Sequence, residues 1–153
     1  MSWREAALSK MIKKILVPVD LSQEDAGGSA LQLAADLARL KEAKLVLFHV
    51  IERVPAFVES QLPKSFAEDA VSEATRRLTT LAGSLQLESH AEIAVRQGHP
   101  STEILEYSEQ AGIDMIVMAS HDPVLSDYLL GSVAARVVRH AHCSVLVARK
   151  LDD

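Results

Sequence analysis

Short apolar runs alternate with longer stretches of helical periodicity along the whole chain. Five runs rich in β-branched and aliphatic residues are predicted to be strands, and they span residues 12–19, 45–50, 91–96, 115–118 and 144–148. A run that is apolar at both odd and even positions is typical of a strand buried on both faces of a sheet. The run at 91–96 alternates more, which favours a position near a sheet edge.

Between these runs, apolar residues recur at intervals of three and four, which is the spacing of an amphipathic helix. Helices are predicted at 23–40, from 66 to between 83 and 86, at 100–110 and at 132–140. Ser22 with Asp25 resembles a capping box before the first helix, Pro100 suits a first helical turn, and Gly112 lies just past a helix end. Residues 52–63, which include two prolines, are predicted to be the only long irregular loop.

This order of elements predicts the fold class. Strands that alternate with helices through short connections pair in parallel through right-handed crossovers. We therefore expect an α/β domain with a five-stranded parallel sheet and helices on both faces, spanning residues 12–150 after an N-terminal arm at 1–11. Ligands bind such sheets at the carboxyl ends of the strands, where the strand order reverses. The loops after the first and fourth strands, beside the end of the second, are the predicted site.

Composition narrows the function classes. The chain has 153 residues, 48% of them hydrophobic, which is enough for one domain that is stable without disulfides or metals. The net charge is −5 and the basic residues are scattered, which argues against nucleic acid as a partner. No segment has the length and apolarity of a signal sequence or a transmembrane helix, so we expect a cytoplasmic protein without membrane insertion. The lone Cys143 is expected to be an unreactive packing residue.

The segment 117–133 (VMASHDPVLSDYLLGSV) is the most informative stretch of the chain. It leaves the fourth strand, crosses a polar loop and reaches Gly131 and Ser132 at the start of the last helix. The first N–H groups of a helix have no partner within the helix and attract anions. We interpret the segment as a phosphate-facing loop of a nucleotide site. Plain helix capping, with no ligand, is the alternative interpretation.

Several fragments in a fixed order carry a family resemblance: 15–22 (ILVPVDLS), 47–50 (LFHV), 98–100 (GHP), 119–122 (ASHD), then after eight residues 131–134 (GSVA), and finally 138–147 (VRHAHCSVLV). Over residues 12–149 the chain resembles the universal stress protein family, in its small single-domain bacterial type with a shortened nucleotide loop. The resemblance implies a Rossmann-like, adenine nucleotide alpha hydrolase-like three-layer sandwich. It also implies a regulatory or stress-response role and binding of ATP, with AMP or ADP as alternatives.

The resemblance further implies roles for individual residues. Those that would border adenine and ribose are Pro18, Val19 and Asp20, with the backbone of Val50 at the adenine edge. Those that would pass beside ribose and phosphates are Met118, Ala119, Ser120 and His121. Those that would hold the phosphates are Gly131, Ser132 and Val133. For Asp20 a second interpretation stays open, in which its carboxylate helps to start the helix beside Ser22.

Three departures from the family's loop pattern bear on these roles. Ala119 and Asp122 stand where the nucleotide-binding branch has glycines, and eight residues rather than nine precede Gly131. A carboxylate at Asp122 would repel a triphosphate unless a divalent cation lay between them. The implied cofactors are therefore ATP with Mg²⁺, and Asp20 and Asp122 are the candidate metal contacts.

Catalytic motifs are absent from the sequence. It contains no Gly-x-Ser-x-Gly and no Gly-x4-Gly-Lys-Ser/Thr, and no Lys or Arg lies between Met115 and Ala135. Fast phosphoryl transfer needs such a cation over the transferred group. At most slow ATP hydrolysis is expected, and the alternative functions are a dimeric scaffold that binds no nucleotide and a flavodoxin-like carrier. His140 and His142 would not face one side of a helix, so a zinc site is not expected.

The last predicted strand offers an apolar sheet edge. Its residues are Ser144, Val145, Leu146, Val147 and Ala148. An exposed edge of this kind promotes pairing with another chain unless it is covered. In the family this strand pairs with its twofold mate, so the resemblance implies a homodimer with an isologous interface, alongside an unidentified protein partner. Coverage of the strand by the N-terminal arm is the alternative.

Overall fold

The computed structural model describes residues 2–3, 11–23, 28–87, 89–120 and 130–149. Helices and strands alternate along these residues. The strands are β1 (Lys14–Pro18), β2 (Lys44–Ile51), β3 (Ala91–Gln97), β4 (Met115–Ala119) and β5 (Ser144–Ala148). The helices are α1 (Gly28–Lys41), α2 (Ala56–Glu59), α3 (Phe66–Ser84), α4 (Pro100–Gln110) and α5 (Ser132–His140).

The five strands form one parallel sheet in the order β3-β2-β1-β4-β5, which confirms the predicted fold class. The chain winds outward from β1 through β2 to β3 and then crosses to β4 on the other side of β1. The strand order therefore reverses between β1 and β4, at the place expected for a ligand. β3 and β5 are the two edge strands. The alternating pattern of β3 predicted its edge position, and the expected topology placed β5 at the sheet margin.

Helices cover both faces of the sheet because successive strand residues point to opposite sides. Ile15, Val17 and Leu47 belong to a core cluster that also contains buried residues of α1 and α3. Leu16 and Phe48 belong to a second cluster, which contains buried residues of α4 and α5. All five of these strand side chains are 0% exposed. Burial on both faces explains the continuous apolar run in β1 and the three-layer arrangement.

The first strand is shorter than the predicted 12–19. Before it, the backbone N–H groups of Lys13 and Lys14 donate to the carboxylate of Asp114, at 2.9 and 3.0 Å. Lys13 bonds to the neighbouring strand only through its carbonyl oxygen, which accepts from the N–H of Lys44 at 2.9 Å, and regular pairing begins at Lys14. α1 is described from Gly28 and not from residue 23, and Asp25 of the predicted capping box lies outside the described residues.

The prediction of an irregular loop over residues 52–63 was wrong at its centre, where the short helix α2 forms. Pro55 precedes α2 with φ −55°, and a proline has no N–H that a helix start would leave unpaired. The Ser60 hydroxyl donates to the carbonyl oxygen of Phe57 at 2.9 Å. No residue of α2 is buried, so local hydrogen bonds hold this helix, and apolar periodicity could not reveal it.

The other elements follow the sequence closely. α3 ends at Ser84, inside the predicted interval, and α4, α5 and β5 have the predicted bounds. Gly112 follows α4 with φ +65°, a conformation that favours glycine after a helix. Most of the arm at 1–11, and residue 150 at the domain end, lie outside the described residues, so the domain boundaries remain a prediction. Within the described part of the chain, no helix has the length and apolarity needed to cross a membrane.

Candidate functional site

A cleft of about 870 Å³ lies at the carboxyl ends of β1, β2 and β4. It is lined by most of the residues that the sequence singled out, namely Pro18, Val19, Asp20, Val50, Met118, Ala119, Gly131, Ser132 and Val133. The fold brings these residues together from four separate parts of the chain. Ser120 is buried and does not line the cleft, while His121 and Asp122 lie outside the described residues.

Asp20 shapes the turn that leaves β1. Its Oδ1 atom accepts hydrogen bonds from the backbone N–H of Ser22 at 3.0 Å and from the Ser22 hydroxyl at 2.6 Å. A carboxylate that accepts from the residue two positions later is a common turn former. Asp20 therefore has a structural role in this turn, while its exposed side chain also lines the cleft.

His49, at the end of β2, is a lining residue that the sequence interpretation did not select as a site residue. Its Nδ1 atom lies 2.8 Å from the carbonyl oxygen of Val19. A carbonyl oxygen can only accept, so Nδ1 must carry the proton. In the neutral ring the Nε2 atom then presents a lone pair, which makes it an acceptor.

The start of α5 forms the opposite wall of the cleft. Gly131 is its N-cap residue, with φ −56° and ψ 153°, and among the described residues no side chain caps the helix. The carbonyl oxygen of Gly131 accepts from the N–H of Ala135 at 2.8 Å, as in a regular first turn. Ser132 and Val133 follow with N–H groups that have no partner within a helix, and the first turn holds no acidic residue. These groups can bind an anion.

Backbone hydrogen bonds join the two ends of the loop between β4 and α5. The N–H of Gly131 donates to the carbonyl oxygen of Ser120 at 3.5 Å, and the N–H of Ser120 donates to the carbonyl oxygen of Ala148 at 3.0 Å. Ser120 thus ties the loop to β5. These hydrogen bonds connect Gly131 to the ends of β4 and β5 and so fix its position at the cleft.

Arg77 was missed by the sequence interpretation, which searched the segment 115–135 for a cation. It lies on α3 and lines the cleft, as do Glu52, Pro100 and Ile104. Arg136, on α5 itself, instead donates to the hydroxyls of Ser101 and Thr102 at 3.0 and 3.1 Å. No sequence motif marks Arg77, because only the packing of α3 on the sheet brings it to the site.

The described residues contain no group of three or more His, Cys, Asp or Glu side chains arranged to hold a metal ion. Asp20 contributes a single carboxylate to the cleft. Cys143 is half-buried, and burial raises the pKa of its thiol. A protonated, partly buried thiol has low reactivity, in keeping with the packing role expected for Cys143.

The motifs noted in the sequence match a known family over nearly the whole chain. The profile of the universal stress protein family matches residues 11–149. The chain belongs to the universal stress protein family. It is 32% identical to universal stress protein MJ0531 of Methanocaldococcus jannaschii, over 92% of this chain and 84% of that protein. It is also 32% identical to universal stress protein G of Escherichia coli O157:H7, over 91% of this chain and 100% of that protein.

Solved structures of universal stress proteins and of similar proteins share the fold. The hypothetical protein MJ0577 is 27% identical with a TM-score of 0.77, covering 94% of this chain and 99% of that chain. A universal stress protein in complex with cAMP is 18% identical with a TM-score of 0.64, covering 91% and 98%. The universal stress protein from Archaeoglobus fulgidus in complex with dAMP is 20% identical with a TM-score of 0.61, covering 90% and 98%. The universal stress protein fold deduced from the sequence motifs is thereby confirmed.

Proposed function

We propose that this universal stress protein domain binds an adenine nucleotide in the cleft and acts as a regulatory or stress-response module. ATP is the proposed ligand, with AMP or ADP as alternatives. The observation that carries the proposal is the start of α5, which lines a cleft at the switch point of the sheet and has no side-chain cap within the described part of the chain. Two proteins of the same fold hold adenine nucleotides, cAMP in one and dAMP in the other.

The cleft suits the two ends of a nucleotide. Apolar side chains of Val50, Ile104 and Met118 line the part of the cleft that belongs to the core cluster of α4 and α5, which suits a base. Gly131 and Ser132 lie at the helix start, which suits phosphates. In the proposed pose Pro18, Val19 and Asp20 lie between these parts, beside adenine and ribose.

Magnesium would join the site together with ATP. Mg²⁺ keeps several waters and is bound in nucleotide sites by one or two carboxylates plus phosphate oxygens. Asp20 supplies one carboxylate in the cleft, so the residues present fit a metal held mainly by the nucleotide. We propose Asp122 as a second contact, made through the cation.

A regulatory role is proposed in preference to catalysis. Of the described residues that line the cleft, only Arg77 is a Lys or Arg, and fast phosphoryl transfer needs cations and a positioned base around the transferred group. Slow ATP hydrolysis is the most that this set of side chains supports. Nucleotide occupancy would then act through contacts with partners.

We further propose a cytoplasmic homodimer that pairs through β5, and an additional protein partner. β5 lies at the sheet margin, and the side chains of Val145, Leu146 and Val147 are only partly buried. An apolar edge of this kind is suited to pairing with a second copy.

Titration calorimetry with ATP, with and without Mg²⁺, tests the proposal on protein freed of carried-over nucleotide. Magnesium-dependent binding with a dissociation constant of about 1 μM to 100 μM, roughly 5 to 8 kcal/mol, would support it. The absence of both heat and thermal shift would reject nucleotide binding. The dimeric scaffold without nucleotide would then be the better description.

A further inference from the structure

The cleft extends around the carboxyl edge of the sheet onto both faces. Val50 packs with the core cluster of α4 and α5, whereas His49 has the same strand parity as Leu47, which belongs to the cluster of α1 and α3. Gly131 and Ser132 open into the cleft from the α5 side, and Arg77 opens into it from the α3 side. The part that contains His49 and Arg77 has no assigned ligand group in the proposed nucleotide pose.

The position of Arg77 on α3 explains how a helix residue reaches the cleft. α3 connects two parallel strands, so it runs antiparallel to them and begins at the carboxyl edge. Ala74 and Leu78 are buried and fix the side of α3 that faces the sheet. Side chains on a helix tilt toward its N-terminus, which directs the Arg77 side chain toward the edge where the cleft lies.

Arg77 interacts with Glu73 on the same helix only through its charge, without a hydrogen bond. Glu73, four residues before it, is bonded by Arg76 at 2.6 and 3.0 Å, and that bond is the main reason why the pKa of the Glu73 carboxyl lies below its ordinary value. Among the described residues, no hydrogen bond or ion pair within 4 Å joins Arg77 to a carboxylate or a carbonyl. Its guanidinium therefore remains available to a ligand.

The charges around the cleft make Arg77 important for the binding of an anion. The ionised side chains that line the described part of the cleft are Asp20, Glu52 and Arg77. Without Arg77, the ionised side chains that line the described part of the cleft would all be carboxylates, which repel an anion. The α1 side adds the hydroxyl of Ser29, which can donate to an oxygen atom. The Ser22 hydroxyl already donates to Asp20.

We infer that Arg77 forms an anion-binding subsite on the α1 and α3 side of the cleft. The ligand group is a phosphate, and the inference rests on the proposed function for the identity of the nucleotide. Two sources share this chemistry: the phosphates of the bound nucleotide, and a free phosphate ion bound next to a nucleoside. A guanidinium binds phosphate oxygens through paired hydrogen bonds, which a glutamine cannot replace.

The test compares Arg77→Gln with the parent and with Arg139→Gln, using calorimetry with ATP, AMP, adenosine and inorganic phosphate. Arg139→Gln is the matched control, because it removes the same charge from an exposed position in the last turn of α5, outside the cleft lining. We expect Arg77→Gln to weaken ATP binding by about tenfold or more and adenosine binding by less than about twofold, with Arg139→Gln like the parent. An equal loss of affinity for AMP would place the α-phosphate at Arg77. A loss of affinity for ATP alone would place the β- or γ-phosphate there.

The other outcomes are also distinct. If ATP binding is unchanged but Arg77→Gln no longer binds inorganic phosphate in the presence of adenosine, the source is the free ion. If Arg77→Gln binds ATP, AMP and phosphate like the parent, the proposed subsite is wrong. The same holds if the substitution lowers the affinity for adenosine as much as the affinity for ATP. If the parent binds no adenine nucleotide, the proposed function fails. The subsite is then tested by phosphate binding alone: it is supported if the parent binds inorganic phosphate and Arg77→Gln does not, and rejected otherwise.

Discussion

The Nδ1 atom of His49 lies 2.8 Å from the carbonyl oxygen of Val19. The N–H of Val19 donates in turn to the carbonyl oxygen of Phe48 at 2.7 Å. Both polar groups of the Val19 backbone are thus held by the end of β2. This pair of bonds fixes the chain where it leaves β1, next to Asp20 in the cleft.

The first prediction concerns His49. We expect its neutral ring to carry the proton on Nδ1, which long-range proton–nitrogen NMR spectra can show directly. His49→Ala should lower the free energy of unfolding by about 0.5–1.5 kcal/mol through loss of one hydrogen bond. His90 is exposed and provides the control, since His90→Ala should change the free energy of unfolding by less than about 0.5 kcal/mol. A His49 signal with the proton only on Nε2 would contradict the assigned contact.

The second prediction concerns the helix start at the cleft. Gly131→Asp should abolish nucleotide binding, because it places a carboxylate at the N–H groups proposed to hold phosphate. The fold should survive, since Asp is a favourable N-cap residue and Gly131 has φ −56°. Calorimetry measures binding, and thermal unfolding measures the fold.

Gly131→Asn separates charge from size in that experiment. Its amide has nearly the volume of the carboxylate without the charge. If charge repulsion is the cause, the Asn variant should retain more affinity than the Asp variant. Equal affinity of Gly131→Asp and the parent for ATP would mean that the site lies elsewhere.

The third prediction concerns β5. Val147→Asp should shift the proposed dimer toward monomer, because a charge on the sheet margin opposes pairing of two apolar edges. Light scattering after size-exclusion chromatography measures the change. Val138→Asp, on the exposed surface of α5, adds the same charge away from the edge and should leave the oligomeric state unchanged. A dimer that tolerates Val147→Asp but not Val138→Asp would place the interface on α5.

The fourth prediction concerns acid stability. Glu92 on β3 accepts from Lys44 at 2.5 Å and lies 3.6 Å from Lys14. The hydrogen bond from Lys44, aided by the charges of both lysines and opposed by burial, holds the pKa of the Glu92 carboxyl below its ordinary value of 4.5. A lowered pKa in the folded state stabilises the protein above the ordinary value, and the gain is lost as pH falls through the lowered one.

Urea unfolding at neutral pH and at about pH 3 measures this effect. Glu92→Gln should cost at most about 1 kcal/mol at neutral pH, because the Glu92 side chain is 39% exposed and solvent weakens the pairing. The difference in the free energy of unfolding between Glu92→Gln and the parent should be smaller at about pH 3 than at neutral pH. Glu109→Gln, at an exposed position, is the control for the loss of one carboxylate. A difference between Glu92→Gln and the parent that stays constant with pH would contradict the ion-pair explanation.

The sequence determined the sheet, most of the helices and the family. Burial on both faces of a parallel sheet requires apolar residues at the three central positions of β1, Ile15, Leu16 and Val17. One-sided burial of helices requires a period of about 3.6. These requirements are local in sequence, so they were visible without the structure. The family motifs were visible for a related reason, since the glycine and polar residues of the loops stand next to the strands and helices that position them.

Tertiary structure alone decided the composition of the cleft wall. Arg77 and His49 come from α3 and β2, and only the packing of α3 on the sheet and the bond from His49 to Val19 bring them to the site. Ser120 shows the opposite case: it stands within the loop motif but is buried, with its backbone tied to Ala148 and Gly131. Motif spacing tells which backbone segments meet, whereas the direction and charge of each side chain depend on contacts between residues far apart in sequence.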